Sequence, residues 1–134
     1  MTEEQRPEIK GGAIAYLSIE GALKAVDFYQ KALAAEVAMV MPADDKGRTM
    51  HAHLYINGSS VMMSDFYPEH GHPVAPHSGF SIMLRVEDAD IWFDRAVGAG
   101  CTAVMKPENM FWGDRYGQVK DPFGVLWALN GPPK

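Results

Sequence analysis

Cysteine is almost missing from this chain: Cys101 stands alone, so no intrachain disulfide framework can form and a reducing compartment suits it. Basic charge is scarce as well. Lys and Arg total 12 against 17 Asp and Glu, for a formal net charge of −5 and a pI near 5.4. Nothing forms the basic stripe that a nucleic-acid backbone demands, so no nucleic-acid partner is expected. No apolar run approaches the roughly 20 residues of a membrane span, and no membrane partner is expected either. The start, MTEEQRPEIKGG, lacks the apolar stretch of a secretory signal. It reads as a frayed arm, with the cytoplasm as the expected address. A glycine-lysine phosphate loop is absent too.

What is present is ordinary globular material. The 134 residues are 47% hydrophobic and 22% charged, enough for one core without disulfides, and a single domain over 1–134 is expected. Residues 13–19 alternate small and large apolar side chains, as a strand does. Residues 22–35 set Leu23, Val26, Phe28 and Leu33 near helical spacing, with Lys24, Asp27 and Lys31 toward water. Residues 36–41 read as a strand. Residues 49–66 read as a hairpin turned at Asn57-Gly58, a pair that tolerates the positive φ of a type I′ turn. Residues 67–78 form a linker rich in Pro, Gly and His. The order then restarts: strand 80–86, helix 87–100, strand 102–106, loop 107–114, and a hairpin over 115–130 turned at Asp121-Pro122-Phe123-Gly124.

A shift of 67 positions lays Leu17-Ser18-Ile19-Glu20 on Leu84-Arg85-Val86-Glu87 and Ala22 on Ala89. The chain is therefore predicted to be α+β, built as two βαβββ modules over about 13–66 and 79–130. Each sheet would have one apolar face, so the modules must curl or pair to bury it, and the site is expected between them.

Four local runs accompany the duplication. They are Tyr16-Leu17-Ser18 before a helix carrying Asp27-Phe28-Tyr29; Met50-His51-Ala52; Val61-Met62-Met63-Ser64-Asp65; and Trp112-Gly113-Asp114-Arg115-Tyr116-Gly117 leading to the Asp-Pro-Phe-Gly turn. In that order they resemble the vicinal-oxygen-chelate superfamily (glyoxalase I, bleomycin-resistance proteins, extradiol dioxygenases), and within it the PhnB-type branch. The resemblance implies paired, curved mixed sheets around a cupped cavity, commonly in a homodimer. It also implies four metal-ligand positions, which fall here on Ile14, Met62, Ser81 and Ala128. A slide of two residues offers Tyr16, Ser64, Met83 and Asn130 instead. Neither set suits a divalent ion, which takes His and Glu in such relatives, so no cofactor is expected at that position. The methyltransferase label that some relatives carry finds no Gly-rich cofactor turn here.

Side chains alternate faces along a strand, so parity assigns the cavity lining. Met62 is a cavity position by the resemblance, and parity turns His51, His53, Tyr55 and Ser64 the same way. Tyr16, Ser18, Met83 and Arg85 follow from Ile14 and Ser81. In the second hairpin, Pro122 opposite Val125 sets Val119 across from Ala128. That turns Arg115, Gly117 and Asp121 to the cavity, and Trp127, Gln118 and Lys120 to the helix side. Arg115 is then placed either to clamp a carboxylate or phosphate or to pair with Asp114. Phe111, Trp112 and Tyr116 are candidates for a lid over a flat ligand, with Trp112 the best suited of them to core packing. Asp65 reads as a cap on the loop after its strand. His70, His72 and His77 read as part of a mobile loop rather than a metal tract. The function implied is binding of a small flat or anionic organic ligand. The alternatives are a metal-dependent lyase, isomerase or dioxygenase around His51 and His53, with Asp65, Asp121 or Tyr55 as further donor, and a structural or partner-binding module.

Overall fold

The computed structural model of the protein, which describes residues 6–134, gathers the apolar faces of both modules around one core. In the first module, β1 (Ala15–Ile19), α1 (Ala22–Ala32), β2 (Glu36–Val40), β3 (Ala52–Ile56) and β4 (Ser59–Asp65) give a sheet of order β1-β4-β3-β2. In the second, β5 (Ile82–Arg85), α2 (Ala89–Ala99), β6 (Thr102–Asn109), β7 (Arg115–Lys120) and β8 (Leu126–Gly131) give β5-β8-β7-β6. The first and last strands of each module pair in parallel and the others antiparallel, so both sheets are mixed. This is the α+β plan expected, one βαβββ unit used twice. The two sheets remain separate and do not close into a barrel.

Period-two burial decides which face meets a helix. Leu17 and Ile19 on β1, Leu54 and Ile56 on β3, and Val61 and Met63 on β4 are buried, while Tyr16, Ser18, Met62 and Ser64 between them face the other way. Helix α1 covers the apolar side with Ala22, Ala25 and Ala32, whose small side chains let the helix lie close. The same helix reaches into the second module. The Tyr29 hydroxyl donates to Asp121 Oδ2, Trp127 Nε1 donates to the same oxygen at 2.9 Å, and the Tyr29 and Trp127 rings meet edge to face at 5.5 Å. Tyr29 and Trp127 are both fully buried, so this carboxylate joins the modules inside the core.

The helices start differently. Gly21 precedes α1 and has no side chain to cap it. Asp65, at the end of β4, supplies the cap: its Oδ1 accepts from the N–H groups of Gly21 at 2.9 Å and Ala22 at 3.2 Å, and its Oδ2 from Thr49 N–H at 2.8 Å. Asp65 therefore caps a helix of its module rather than the loop that follows its own strand. Helix α2 carries its own cap, Asp88, which accepts from Asp90 and Ile91 N–H.

Three features depart from the sequence reading. Strand β6 continues to Asn109, because irregularities between Ala103 and Met105 and between Met105 and Glu108 absorb Pro107 without ending the pairing. The polar start is docked where it is described: Ser60 N–H donates to Lys10 O at 2.9 Å, Lys10 N–H donates to Ser60 Oγ at 2.8 Å, and Tyr55 donates its hydroxyl to Glu8 O at 2.6 Å. Residues 1–5 of the arm lie outside the described residues. Third, the second hairpin pairs Val119 with Trp127 and Gln118 with Ala128, one residue away from the expected register. Asp121 explains the slip. Its Oδ1 accepts from Phe123 and Val125 N–H, and its own N–H donates to Val125 O, so the turn takes up one residue more than a tight two-residue turn. A one-residue slip moves every side chain of one arm to the other face. Arg115, Gly117 and Asp121 therefore lie on the helix side, and Gln118 and Lys120 on the open side.

Candidate functional site

The face of the first sheet that no helix covers collects most of the chemistry. Tyr16 on β1 sits beside Met62 on β4, which sits beside His53 on β3, and Ser64 pairs with Ser18 one step along. The Tyr16 hydroxyl and His51 Nδ1 are hydrogen-bonded at 3.0 Å. Partial burial raises the Tyr16 phenol, so it stays protonated near neutral pH. Tyr16, His51, His53, Tyr55, Met62 and Ser64 thus occupy the face that parity assigned to them.

That face is divided in two. In one half the chain covers itself: His53 is 2% exposed, its Nε2 lies 2.7 Å from Ser60 Oγ, and Lys10 and Glu8 lie over Ser60 and Tyr55. The Lys10 ammonium sits 4.3 Å from the Tyr55 ring centroid. Burial, and secondarily the neighbouring His51, depresses His53, which favours the neutral imidazole. The other half is open. A cavity of about 380 Å³ has Tyr16, Ser18 and Ser64 on the sheet side and Asp65 at its edge. Met50 and a strap over 67–72 complete it, with Tyr67, His70 and His72 among the lining.

The strap is built rather than loose. Tyr67 and His72 form an isolated antiparallel bridge around a single 3-10 turn, Pro68–His70. Arg48 holds it from outside, donating to both Glu69 oxygens at 3.1 and 2.7 Å and to Asp44 at 3.1 Å, with its guanidinium 4.3 Å from the Tyr67 ring centroid. The Arg48 hydrogen bonds hold the Glu69 carboxyl down at about 2. Of the linker histidines, His70 and His72 line the cavity, whereas His77 sits between the Phe66 and Phe80 rings. Among the described residues no group of three or more His, Cys, Asp or Glu side chains is arranged to hold a metal ion.

The second module places its candidates differently. Arg115 is turned to α2, where Nε donates to Asp90 Oδ2 at 2.6 Å, one Nη donates to Asp90 Oδ1 at 3.1 Å and the other to Asn109 at 3.2 Å. Asp90, held at about 2 first by Arg115 and then by Lys134, consumes the fork that would have met a ligand anion. The expected pairing with Asp114 is also absent from these contacts. Arg85 is exposed on the open face beside Met83, and its carbonyl accepts from Asn57 Nδ2 at 2.7 Å. It borders a groove of about 400 Å³ where the modules meet, but none of Tyr16, His51, His53, Tyr55 or Met62 lines that groove. The expected placement of these groups in a site between the modules is therefore not what one chain forms.

Phe111, Trp112 and Tyr116 make an edge-to-face series with centroids 5.1 and 5.8 Å apart. Phe111 is 97% and Trp112 50% exposed, so Trp112, expected to pack in the core, belongs instead to a surface cluster. Cys101 is buried, and burial pushes its thiol up to about 12, unsuited to nucleophilic work.

Four lining residues lie outside the sequence-derived site: His70 and His72, read as part of a mobile loop, and Met50 and Tyr67. Met50 was visible as part of the Met-His-Ala run. Tyr67 extends the buried odd-numbered series Val61, Met63, Asp65 by one more step, a signal that the proline after it masked.

Comparison with known proteins agrees with this architecture. The family model described as Glyoxalase/Bleomycin resistance protein/Dioxygenase superfamily matches residues 17–129. The chain is similar to the uncharacterized protein Rv0887c of Mycobacterium tuberculosis, 42% identical over 123 residues, covering 87% of this chain and 72% of that one. Among solved structures, protein PA1353 from Pseudomonas aeruginosa is 27% identical with a TM-score of 0.74, covering 92% of this chain and 99% of that one. The PhnB protein from Bacillus cereus is 22% identical with a TM-score of 0.66, over 89% and 98%, a likeness of fold.

Proposed function

Because the chain belongs to the glyoxalase/bleomycin resistance protein/dioxygenase superfamily, we propose that it is a small-molecule-binding protein whose site is the open half of the first sheet. The observation that carries this reading is the cavity in which Tyr16, itself hydrogen-bonded to His51, meets the strap held by Arg48. A concave site with a few converging polar groups is the usual form of a small-molecule site. The ligand is a small, flat organic molecule. An anionic one was suggested by an inward Arg115, and that side chain is consumed by Asp90.

The reading includes no superfamily metal centre. Ile14, Met62, Ser81 and Ala128 at the implied ligand positions offer no imidazole or carboxylate, and His51 and His53 are engaged by Tyr16 and Ser60. It does include a homodimer, in which a second copy covers the exposed Met83 of the second open face and Trp112 of the aromatic cluster. Among the described residues no helix is long and apolar enough to cross a membrane, and the free Cys101 fits the cytoplasm.

Isothermal titration of the full chain against planar aromatic and phosphonate compounds tests the reading. Saturable binding to at least one aromatic, weakened by Tyr16→Ala, is expected. Absence of binding to every class by folded protein overturns it. Sedimentation equilibrium tests the dimer, for which a mass of twice 14.8 kDa is expected.

A further inference from the structure

We infer that the cavity under the 67–72 strap takes an uncharged, planar aromatic molecule bearing a hydrogen-bond acceptor, and that the Tyr67 hydroxyl donates to that acceptor. The inference deepens the small-molecule-binding reading above and rests on it.

Tyr67 lines the cavity, is 7% exposed, and has a buried hydroxyl without a hydrogen-bond partner among the described residues. Buried hydroxyls in folded proteins nearly always have a partner, so this one is the open valence of the site. Ser18, His70 and His72 also line the cavity, while the polar groups of Asp65 and Ser64 are committed. Both Asp65 oxygens are occupied by the N–H groups of Gly21, Ala22 and Thr49, and Ser64 Oγ donates to the Asp65 carbonyl at 2.7 Å. Burial and the carboxylates around it, Asp44 first among them, raise the Tyr67 phenol, so it is a donor rather than a phenolate.

Charge selects the ligand class. Among the described residues no lysine or arginine lines the cavity, and Arg48, outside it, is committed to Glu69 and Asp44. An anion entering would meet Asp65 without a free cation to offset the loss of its hydration. A cation would find Asp65 already saturated by N–H donors. An uncharged molecule meets neither penalty.

Shape selects the ring. Tyr16 and Met50 are 53% and 58% exposed at the cavity, a phenol face and a thioether that a flat aromatic covers well. The volume of about 380 Å³ lies near the lower end of small-molecule pockets, which suits one or two fused rings. Tyr67 itself sits at the hinge of the strap, which is tied by a single bridge and by the outer Arg48–Glu69 pair.

The test uses the full chain with acetylnaphthalene, naphthalene and naphthalene sulfonate, followed by amide chemical-shift mapping and tyrosine fluorescence. Acetylnaphthalene is expected to bind tightest and to shift the amides of Tyr16, Ser64 and 67–72. Tyr67→Phe keeps the ring and is expected to weaken acetylnaphthalene roughly tenfold, the worth of one hydrogen bond, while leaving naphthalene unchanged. The inference is overturned if the sulfonate binds as well as the ketone, if Tyr67→Phe leaves the ketone-to-naphthalene ratio intact, or if the shifts centre elsewhere. In the first two cases binding at this cavity persists and the broader reading stands, whereas shifts centred elsewhere also overturn its placement of the site. Loss of all binding, across these probes and the wider aromatic and phosphonate set, overturns both.

Discussion

The two modules share strand order, helix position and core parity, and differ on the faces turned away from the helices. The first module keeps Tyr16, His51 and His53 on the open face, where Tyr16, Ser18, Ser64 and the strap surround a cavity. The second has turned its strongest anion-binding group, Arg115, to the helix side and spent it on Asp90. What separates them is the hairpin. Asn57 and Gly58 have φ of 51° and 83° and make the tight turn that their sequence encodes, while Asp121 draws Phe123 and Val125 into a longer one. A single residue of turn length decides that Arg115 faces α2 rather than the open side.

The largest expected break in the comparison is Trp127→Ala. Losing a fully buried indole and a donor to Asp121 should cost about 3–5 kcal/mol. Urea unfolding reads this directly. A loss confined to the second module, with the first still cooperative, would disprove the shared core that Tyr29 and Asp121 create.

Next are the caps. Asp65→Ala leaves three N–H groups without their acceptor and should cost about 1–3 kcal/mol, since two of the three sites are buried. Asp88→Ala removes a local cap on a more exposed helix start, for about 0.5–2 kcal/mol. Equal losses in thermal unfolding would mean that the tertiary cap has no advantage over the local one.

Arg115→Ala should destabilise by no more than about 1 kcal/mol, because the Asp90 pair is partly open to water and screened. It should leave ligand affinity unchanged, whereas His51→Ala, which removes the partner of Tyr16, should weaken it. A matched fall in affinity for both variants would return the second module to the site.

The smallest effect is a response to acid. Glu69 and Asp90 are both held at about 2, below their ordinary 4.5 and 3.8, by their arginines first. A depressed carboxyl stabilises above its unfolded value and loses that contribution as pH falls through its folded value. Both pairs should therefore be intact at neutral pH and release between about pH 4.5 and pH 2. Arg48→Ala should move the Glu69 titration upward and leave Asp90 alone, as carboxyl NMR would show.

Much of this was legible in the chain. The Leu17-Ser18-Ile19 and Leu84-Arg85-Val86 echo, the Asn57-Gly58 turn and the alternation around Met62 are local, and local periodicity fixes both strand and face. The burial of Trp127 followed from the same parity. The site was only partly legible. Nothing near Tyr67 in sequence reveals Arg48 over its ring, and nothing near Lys10 reveals that it covers Tyr55. These contacts join residues that the fold, and not the chain, makes neighbours.

By itself the sequence determined the repeated module, the apolar parity of its strands and the grouping of His51, His53 and Tyr55 with Met62 and Ser64, because period-two alternation needs only adjacent residues. The family resemblance supplied which face is open and set Tyr16 on it. Tertiary structure decided the direction of Arg115, the cap on α1 and the enclosure of the cavity. Each depends on where a distant carboxylate lies: Asp121 in the turn, Asp65 at the helix start, Glu69 beneath Arg48. A carboxylate accepts from whichever donors the fold brings within about 3 Å, and no local pattern records which donors those are.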